Sequence, residues 1–308
     1  MSRRHGMVLR APLLTRFPWL VHGFSTRLGG VSSLDGPASP RGTDLNLGES
    51  AWDTADRVAE NRRRFIAALP AARSRLVLQR QIHSDLIRTL DGACAGPEAR
   101  TSPRSTRTPG TSRTPAGDGL ITDRPGLLLG VLTADCLPIL LVDARQRMVS
   151  ALHCGWRGTA RHLAEKAVGQ LRMLFGSRPG DLWAAIGPGI RDCCYAVGPE
   201  VVDEFSSQFT YGESLFVARS RPFTPLETKR SIMILPLRSN FGPRSKEEIY
   251  LDLVLANTHQ LRDAGIPEEQ IATDAPCTHC NPKLFFSHRR DGECSGRMLS
   301  VIGIRKRV

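Results

Sequence analysis

Long hydrophobic runs are missing from this chain. The most apolar stretch, from Gly126 to Val142, is short for a bilayer span and carries Asp135 and Pro138 within it, so a membrane protein is not expected. No apolar segment follows Arg3-Arg4, so no secretory leader is expected either, and the expected compartment is the cytoplasm. Eight cysteines without such a leader point to a reducing environment, with thiols that stay reduced or bind metal. No internal repeat is visible. The net charge of +12 is not accompanied by any nucleic-acid-binding motif. The excess lies in Arg3-Arg4, in Arg305-Lys306-Arg307 and in a polar stretch with Arg100, Arg104, Arg107 and Arg113, which reads as solvated tails and an insert. No nucleic acid and no membrane are therefore expected among its partners.

What remains is a soluble globular composition, 41% apolar and 23% charged over 308 residues, enough for a substantial core. The stretch from Leu127 to Gly158 organises it. Two strongly apolar segments, Leu127–Leu132 and Leu137–Val142, flank Thr133-Ala134-Asp135-Cys136 and read as a buried strand pair. A third run, Met148–Leu152, ends in His153-Cys154-Gly155-Trp156-Arg157-Gly158. Further strands are expected at Leu76–Arg80, Leu182–Ile186 and Met298–Ile304. Helices are expected at Ala51–Leu69, after Gly158 (Leu163, Ala167, Leu171, Leu174 and Phe175 on one stripe, Gly176 as cap), from Pro199, and around Leu251–Leu261. The segment Ala95–Asp118, poor in apolar residues, reads as a disordered surface insert, and Tyr211–Lys246 as irregular and basic. Strands and helices interleave, so the class is α/β or α+β in one domain.

Three residues carry the strongest chemistry. His83, Cys136 and His153 each end a strand-like segment, and two imidazoles with a thiolate make good zinc ligands that leave a fourth tetrahedral position open. The competing reading is an ordinary buried cysteine and two ordinary histidines. Cys277-x-x-Cys280 has no good second pair, since Cys193-Cys194 are adjacent, and reads as a thiol pair. Gly155-Trp156-Arg157-Gly158 precedes a helix N-terminus, a natural anion site where Arg157 can take phosphate. The competing reading there is a tight turn that needs glycine. Arg27, Asn46 and Arg289 lie in or near glycine-containing turns and are further polar candidates. Asp135 is a candidate proton-transfer group, although strand alternation could point it away from Cys136.

Seven motifs occur in order: His22-Gly23-Phe24-Ser25-Thr26-Arg27, Leu45-Asn46-Leu47-Gly48, Gln81-Ile82-His83, Thr133-Ala134-Asp135-Cys136-Leu137-Pro138, His153–Gly158, Ile186-Gly187-Pro188 with Cys193-Cys194-Tyr195, and Phe285–Gly292. Together they resemble the YfiH-like family, long labelled laccase-domain or polyphenol oxidase and described as zinc-dependent purine nucleoside phosphorylases with adenosine deaminase side activity. The resemblance spans about residues 17 to 304. It implies a single YfiH-like α/β domain of mixed β-sheets flanked by helices, with Zn2+ on His83, Cys136 and His153. It also implies phosphorolysis of adenosine or inosine, with guanosine and methylthioadenosine as further candidates, by a monomer or homodimer. Departures from the pattern are Cys154 and Ala196 where Ala and Glu are expected, His288 where Tyr is usual, and the long insert.

Three alternatives stay open. One is a copper-dependent polyphenol oxidase, with Cu2+ as second choice of metal. The chain has eight histidines and no His-x-His pair, a poor supply for a multicopper cluster. The second is a cysteine hydrolase using Cys136 activated by His153. The third is a non-catalytic protein whose zinc is structural, so that chelation would unfold it.

Overall fold

The computed structural model describes residues 6–34, 43–71, 74–90, 114–222 and 245–306. These fall into two compact units, one built from the chain up to Ile190 and again from Leu253, the other from Arg191–Asp252.

The larger unit holds two mixed sheets. One has five strands in the order Val8–Leu9, Leu20–Ser25, Met298–Ile304, Leu127–Thr133, Arg75–Val77. The other has six, in the order Ile271–Ala272, Leu182–Ile186, Leu137–Asp143, Met148–Cys154, Gly119–Thr122, Ile87–Thr89. The class is the mixed α/β architecture expected. The two apolar runs of the organising stretch do not pair with each other, however. Leu127–Thr133 joins the first sheet and Leu137–Asp143 the second. The turn at Ala134-Asp135-Cys136 is therefore a crossing between layers, which is why polar residues interrupt the apolar run there.

Side-chain alternation then builds the layers. Leu20, Phe24, Leu129, Val131, Ile302 and Ile304 of the first sheet pack against Leu120, Leu140, Val142, Val149, Ala151 and Ala185 of the second in one continuous core. The opposite face of the first sheet, with Val21, Leu128, Leu299 and Val301, packs on Leu45, Leu47, Phe65 and Leu69. Strands covered on both faces read as unbroken apolar runs rather than alternating ones. Phe65 belongs to the helix Ala55–Ala67, started by the Thr54 side chain accepting from the Arg57 N–H. Asn61, a polar residue within that helix, is fully buried. Its side chain donates to Ser32 Oγ (2.8 Å) and to the Asn46 carbonyl (2.8 Å), and accepts from the Val31 N–H (2.8 Å).

Over the second sheet lies the helix Leu163–Phe175, packed on strands Met148–Cys154 and Gly119–Thr122 and on the helix Leu253–Asp263. Leu163, Ala167 and Leu171 are buried as the stripe requires, and Gly176 closes the helix at φ 66°. Leu174, expected on the same stripe, is instead exposed. Among the described residues no helix is long and apolar enough to cross a membrane.

In the smaller unit, Ala196–Val197, Ser245–Leu251 and Phe216–Pro222 form an antiparallel three-stranded sheet beside the helix Pro199–Gln208. Of the segment expected to be irregular, Phe216–Pro222 is a strand and Ser245-Lys246 begin another, in register from Phe216↔Leu251 to Pro222↔Ser245, while residues 223–244 lie outside the described residues. Residues 95–113 of the expected insert lie outside the described residues. Its last residues are built into the fold: Ala116 bridges Arg80, and Asp118 is buried.

Candidate metal centre

Three segments of the larger unit deliver the site. Strands Leu137–Asp143 and Met148–Cys154 pair antiparallel with Leu137 opposite Cys154 and Pro138 opposite His153. That register brings Cys136, just before one strand, against Gly155, just after the other. The built Cβ of residue 155 would stand 2.9 Å from Cys136 Sγ and 3.2 Å from the His83 ring, so only glycine leaves the thiol its place. His83 arrives on the loop after Arg75–Val77. Gln81 ties that loop to the first sheet, its side chain donating to the Leu132 carbonyl (2.7 Å) and accepting from the Leu132 N–H (2.7 Å).

The donor atoms of His83, Cys136 and His153 all lie within 4.8 Å of one another, with Cys136 Sγ 3.9 Å from His83 Nε2. Ligands held tetrahedrally by zinc stand about 3.5 Å apart, so small adjustments close the shell. His153 is buried, Cys136 half-buried and His83 exposed. The trio therefore opens to solvent on one side, as a site with a free coordination position requires.

The electrostatics favour a thiolate. Burial pushes the Cys136 thiol up, but the charge and hydrogen bond of His153 and the hydrogen bond of His83 outweigh it and bring it to about 6. Burial pushes His153 down, while the Cys136 thiolate and the Asp118 carboxylate together raise it to about 9. Cys154, next to His153, goes the other way: burial first, then the charges of Cys136 and Asp118, raise it well above the ordinary thiol value. The thiolate is thus favoured at Cys136 and disfavoured at Cys154.

Asp118 is a further candidate of the site, one that nothing in the sequence singles out. Its carboxylate accepts from the His153 ring (Nδ1, 2.8 Å), from the N–H groups of Ile82, His83 and Ser84, and from the Ser84 hydroxyl. Burial pushes this carboxyl up, yet those hydrogen bonds hold it far below the usual carboxylate range. An aspartate directly before the apolar strand Gly119–Thr122 was the available signal, hidden by the polar composition of the residues preceding it.

Asp135 stands in the left-handed region at φ 89°, and His83 at φ 57°. Strained backbone of this kind persists where surroundings over-determine it. For Asp135 they do: its carboxylate accepts from the Thr278 hydroxyl (2.6 Å), the Ser287 hydroxyl (3.0 Å) and the Arg289 N–H (2.7 Å). All three donors come from the loop region that carries the Phe285–Gly292 motif.

Arg157 is exposed, stacked 4.3 Å over the ring of Trp156. The helix N-terminus expected there belongs to a helix of only five residues, Trp156–Ala160, broken at His162 (φ 59°) before the long helix begins. Arg27 is buried, paired with Asp44 (2.8 Å), donating to the Pro282 carbonyl and stacked on Phe286. Asn46 is also buried, bonded to Asp53 and Ser50 and accepting from the N–H groups of Gly48 and Arg297.

Residues 21–305 match the family described as multi-copper polyphenol oxidoreductase laccase. The chain belongs to this family. Among its relatives, the purine nucleoside phosphorylase YlmD of Geobacillus stearothermophilus is 36% identical over 290 residues, 94% of this chain and 92% of that protein. A purine nucleoside phosphorylase of Deinococcus radiodurans is 32% identical over 301 residues, covering 97% and 94%. The crystal structure of the Geobacillus YlmD superposes with a TM-score of 0.71 at 33% identity, over 99% of this chain and 98% of that one.

Proposed function

We propose that this protein is a zinc-dependent purine nucleoside phosphorylase acting on adenosine or inosine, with adenosine deamination as a side reaction at the same site. The observation that carries the reading is the open trio itself: two imidazoles and one thiolate with converging donor atoms, buried on one side and exposed on the other. The names of the relatives supply the substrate class.

The donor set suits zinc better than a copper cluster. Among the described residues, the one grouping of potential ligands that contains histidine offers two imidazoles and a thiolate, whereas oxygen chemistry on several coppers needs many imidazoles. Held by His83, Cys136 and His153, zinc would supply a Lewis acid for the attacking oxygen of phosphate or of water. The chain's own groups do the rest. Asp118 keeps a proton on His153 Nδ1, which leaves Nε2 to face the metal. Arg157, exposed four residues beyond His153, is the cation we assign to phosphate, with its guanidinium braced on Trp156. Asp135, with all three of its donors in place, holds the turn that presents Cys136 rather than shuttling a proton.

A cysteine hydrolase would share the Cys136–His153 ion pair. What it leaves without a purpose is the second imidazole, His83 Nε2, 3.9 Å from the sulfur. The two readings separate in a product assay with adenosine or inosine, with and without phosphate, beside Cys136→Ala and beside chelated protein. Phosphate-dependent release of free base, lost in the variant and on chelation, is expected. Inosine from adenosine without phosphate would bring deamination to the front. Turnover that survives chelation but not thiol alkylation would hand the site to the hydrolase.

A further inference from the structure

We propose that Asp118 is the positioning residue that sets both histidines of the metal centre, one through its ring and the other through its backbone. The proposal rests on the metal-centre reading above and adds to it a residue in contact with no substrate. One carboxylate oxygen accepts from His153 Nδ1 (2.8 Å) and from the His83 N–H (3.1 Å). The other accepts from the Ser84 N–H (2.7 Å), the Ser84 hydroxyl (2.6 Å) and the Ile82 N–H (3.3 Å). The backbone closes the grip: the Asp118 carbonyl accepts from the His153 N–H (2.7 Å), and the Asp118 N–H donates to the Leu86 carbonyl (2.9 Å). The His83 loop is thus wrapped around one buried side chain, while the same side chain orients the His153 ring.

The hydrogen bonds call for a side chain with two acceptor oxygens. Backbone N–H groups, which can only donate, fall on both of them: His83 on one, Ile82 and Ser84 on the other. An asparagine of the same shape fails in either orientation. With its NH2 toward Ser84 and Ile82 it sets donor against donor and loosens the His83 loop. With its NH2 toward His153 it asks Nδ1 to accept, which moves the ring proton to Nε2, the atom the metal needs. A glutamate is one methylene too long for a space already filled by five donors. His83 itself sits at φ 57°, a conformation that needs holding, and the three consecutive N–H groups on Asp118 hold it.

The test compares wild type with Asp118→Asn by zinc competition and by the visible spectrum of the cobalt-substituted protein, with denaturant unfolding of the metal-free proteins to establish that both are folded. Asp118→Asn is expected to bind zinc at least about tenfold more weakly and to change the tetrahedral cobalt bands, as loss of an outer-shell partner does. Equal zinc affinity with an unchanged cobalt spectrum in a folded variant would overturn the proposal, since the isostere keeps the shape and removes only the second acceptor. A variant that does not fold shifts the decision to amide exchange in metal-free wild type. The amides of His83 and Ser84, on a loop whose histidine is exposed, are expected to be protected, and rapid exchange there would overturn the grip. If wild type binds neither zinc nor cobalt, the metal-centre reading itself fails, and the amide measurement still judges Asp118 separately.

Discussion

The sharpest steric demand in the centre falls on Gly155. Its backbone is ordinary, at φ −75° and ψ 172°, so alanine is not excluded on conformational grounds. The obstacle is space: the added methyl would stand 2.9 Å from Cys136 Sγ, 3.2 Å from the His83 ring and 3.8 Å from Cys136 Cβ. Comfortable carbon contacts lie at about 3.5–4.0 Å, so the sulfur and the imidazole must both retreat by several tenths of an ångström. Metal–ligand distances tolerate about ±0.2 Å, so two of the three ligands are carried outside the working range. Overpacking of this kind costs typically about 1–3 kcal/mol of stability. We expect Gly155→Ala to fold with a lowered unfolding midpoint and to bind zinc at least about tenfold more weakly, a change of about 1.4 kcal/mol. The assay is zinc competition against a chromophoric chelator, with unfolding curves on the metal-free protein. Wild-type zinc affinity in the variant would refute the placement of Cys136 and His83 around Gly155.

Three further expectations rest on other parts of the fold. Gly169 lies inside the helix Leu163–Phe175 with nothing within 4 Å of a built Cβ, so Gly169→Ala should stabilise by about 0.5–1 kcal/mol, and a loss in denaturant unfolding would contradict that open space. Asn61→Ala leaves the Val31 N–H and the Asn46 carbonyl without their buried partner and should cost about 3 kcal/mol in the same assay, at about 1–3 per orphaned group; a change under about 1 kcal/mol would show that the pocket rearranges. His22 is lowered to about 4 by burial and by the charge of Arg10, against the Ala11 carbonyl bond that raises it. The unfolded chain therefore takes up this proton first as pH falls. The contribution is full above about 6.5 and lost toward pH 4, at most about 3 kcal/mol. Unfolding curves between pH 7 and pH 4 should be flatter for His22→Gln than for wild type, and equal slopes would remove His22 from the acid response.

Much of this was legible locally. The strands Leu182–Ile186 and Met298–Ile304 and the stripe of Leu163, Ala167 and Leu171 follow from short-range apolar patterns that burial enforces. The trio was legible because histidine and cysteine at strand ends are chemically conspicuous. What was not legible depends on partners far apart in sequence. Nothing within Leu127–Asp143 says that its two runs enter different sheets, because each is covered on both faces and carries no alternation to assign a side. Asp118 was hidden for a related reason: its five donors come from Ile82–Ser84 and His153, about 35 residues away on either side. Asp135 drew notice for its chemistry, while its partners Thr278, Ser287 and Arg289 lie more than 140 residues on.

The proposed phosphorolysis depends on one zinc held by His83, Cys136 and His153. Titrating metal-free protein with zinc while following phosphate-dependent release of base from adenosine or inosine tests it directly. Activity should rise linearly and level off at one zinc per chain, and His83→Ala, Cys136→Ala and His153→Ala should stay flat throughout. Full phosphate-dependent activity before any zinc is added, or a titration that the His83 and Cys136 variants follow as wild type does, would contradict the account.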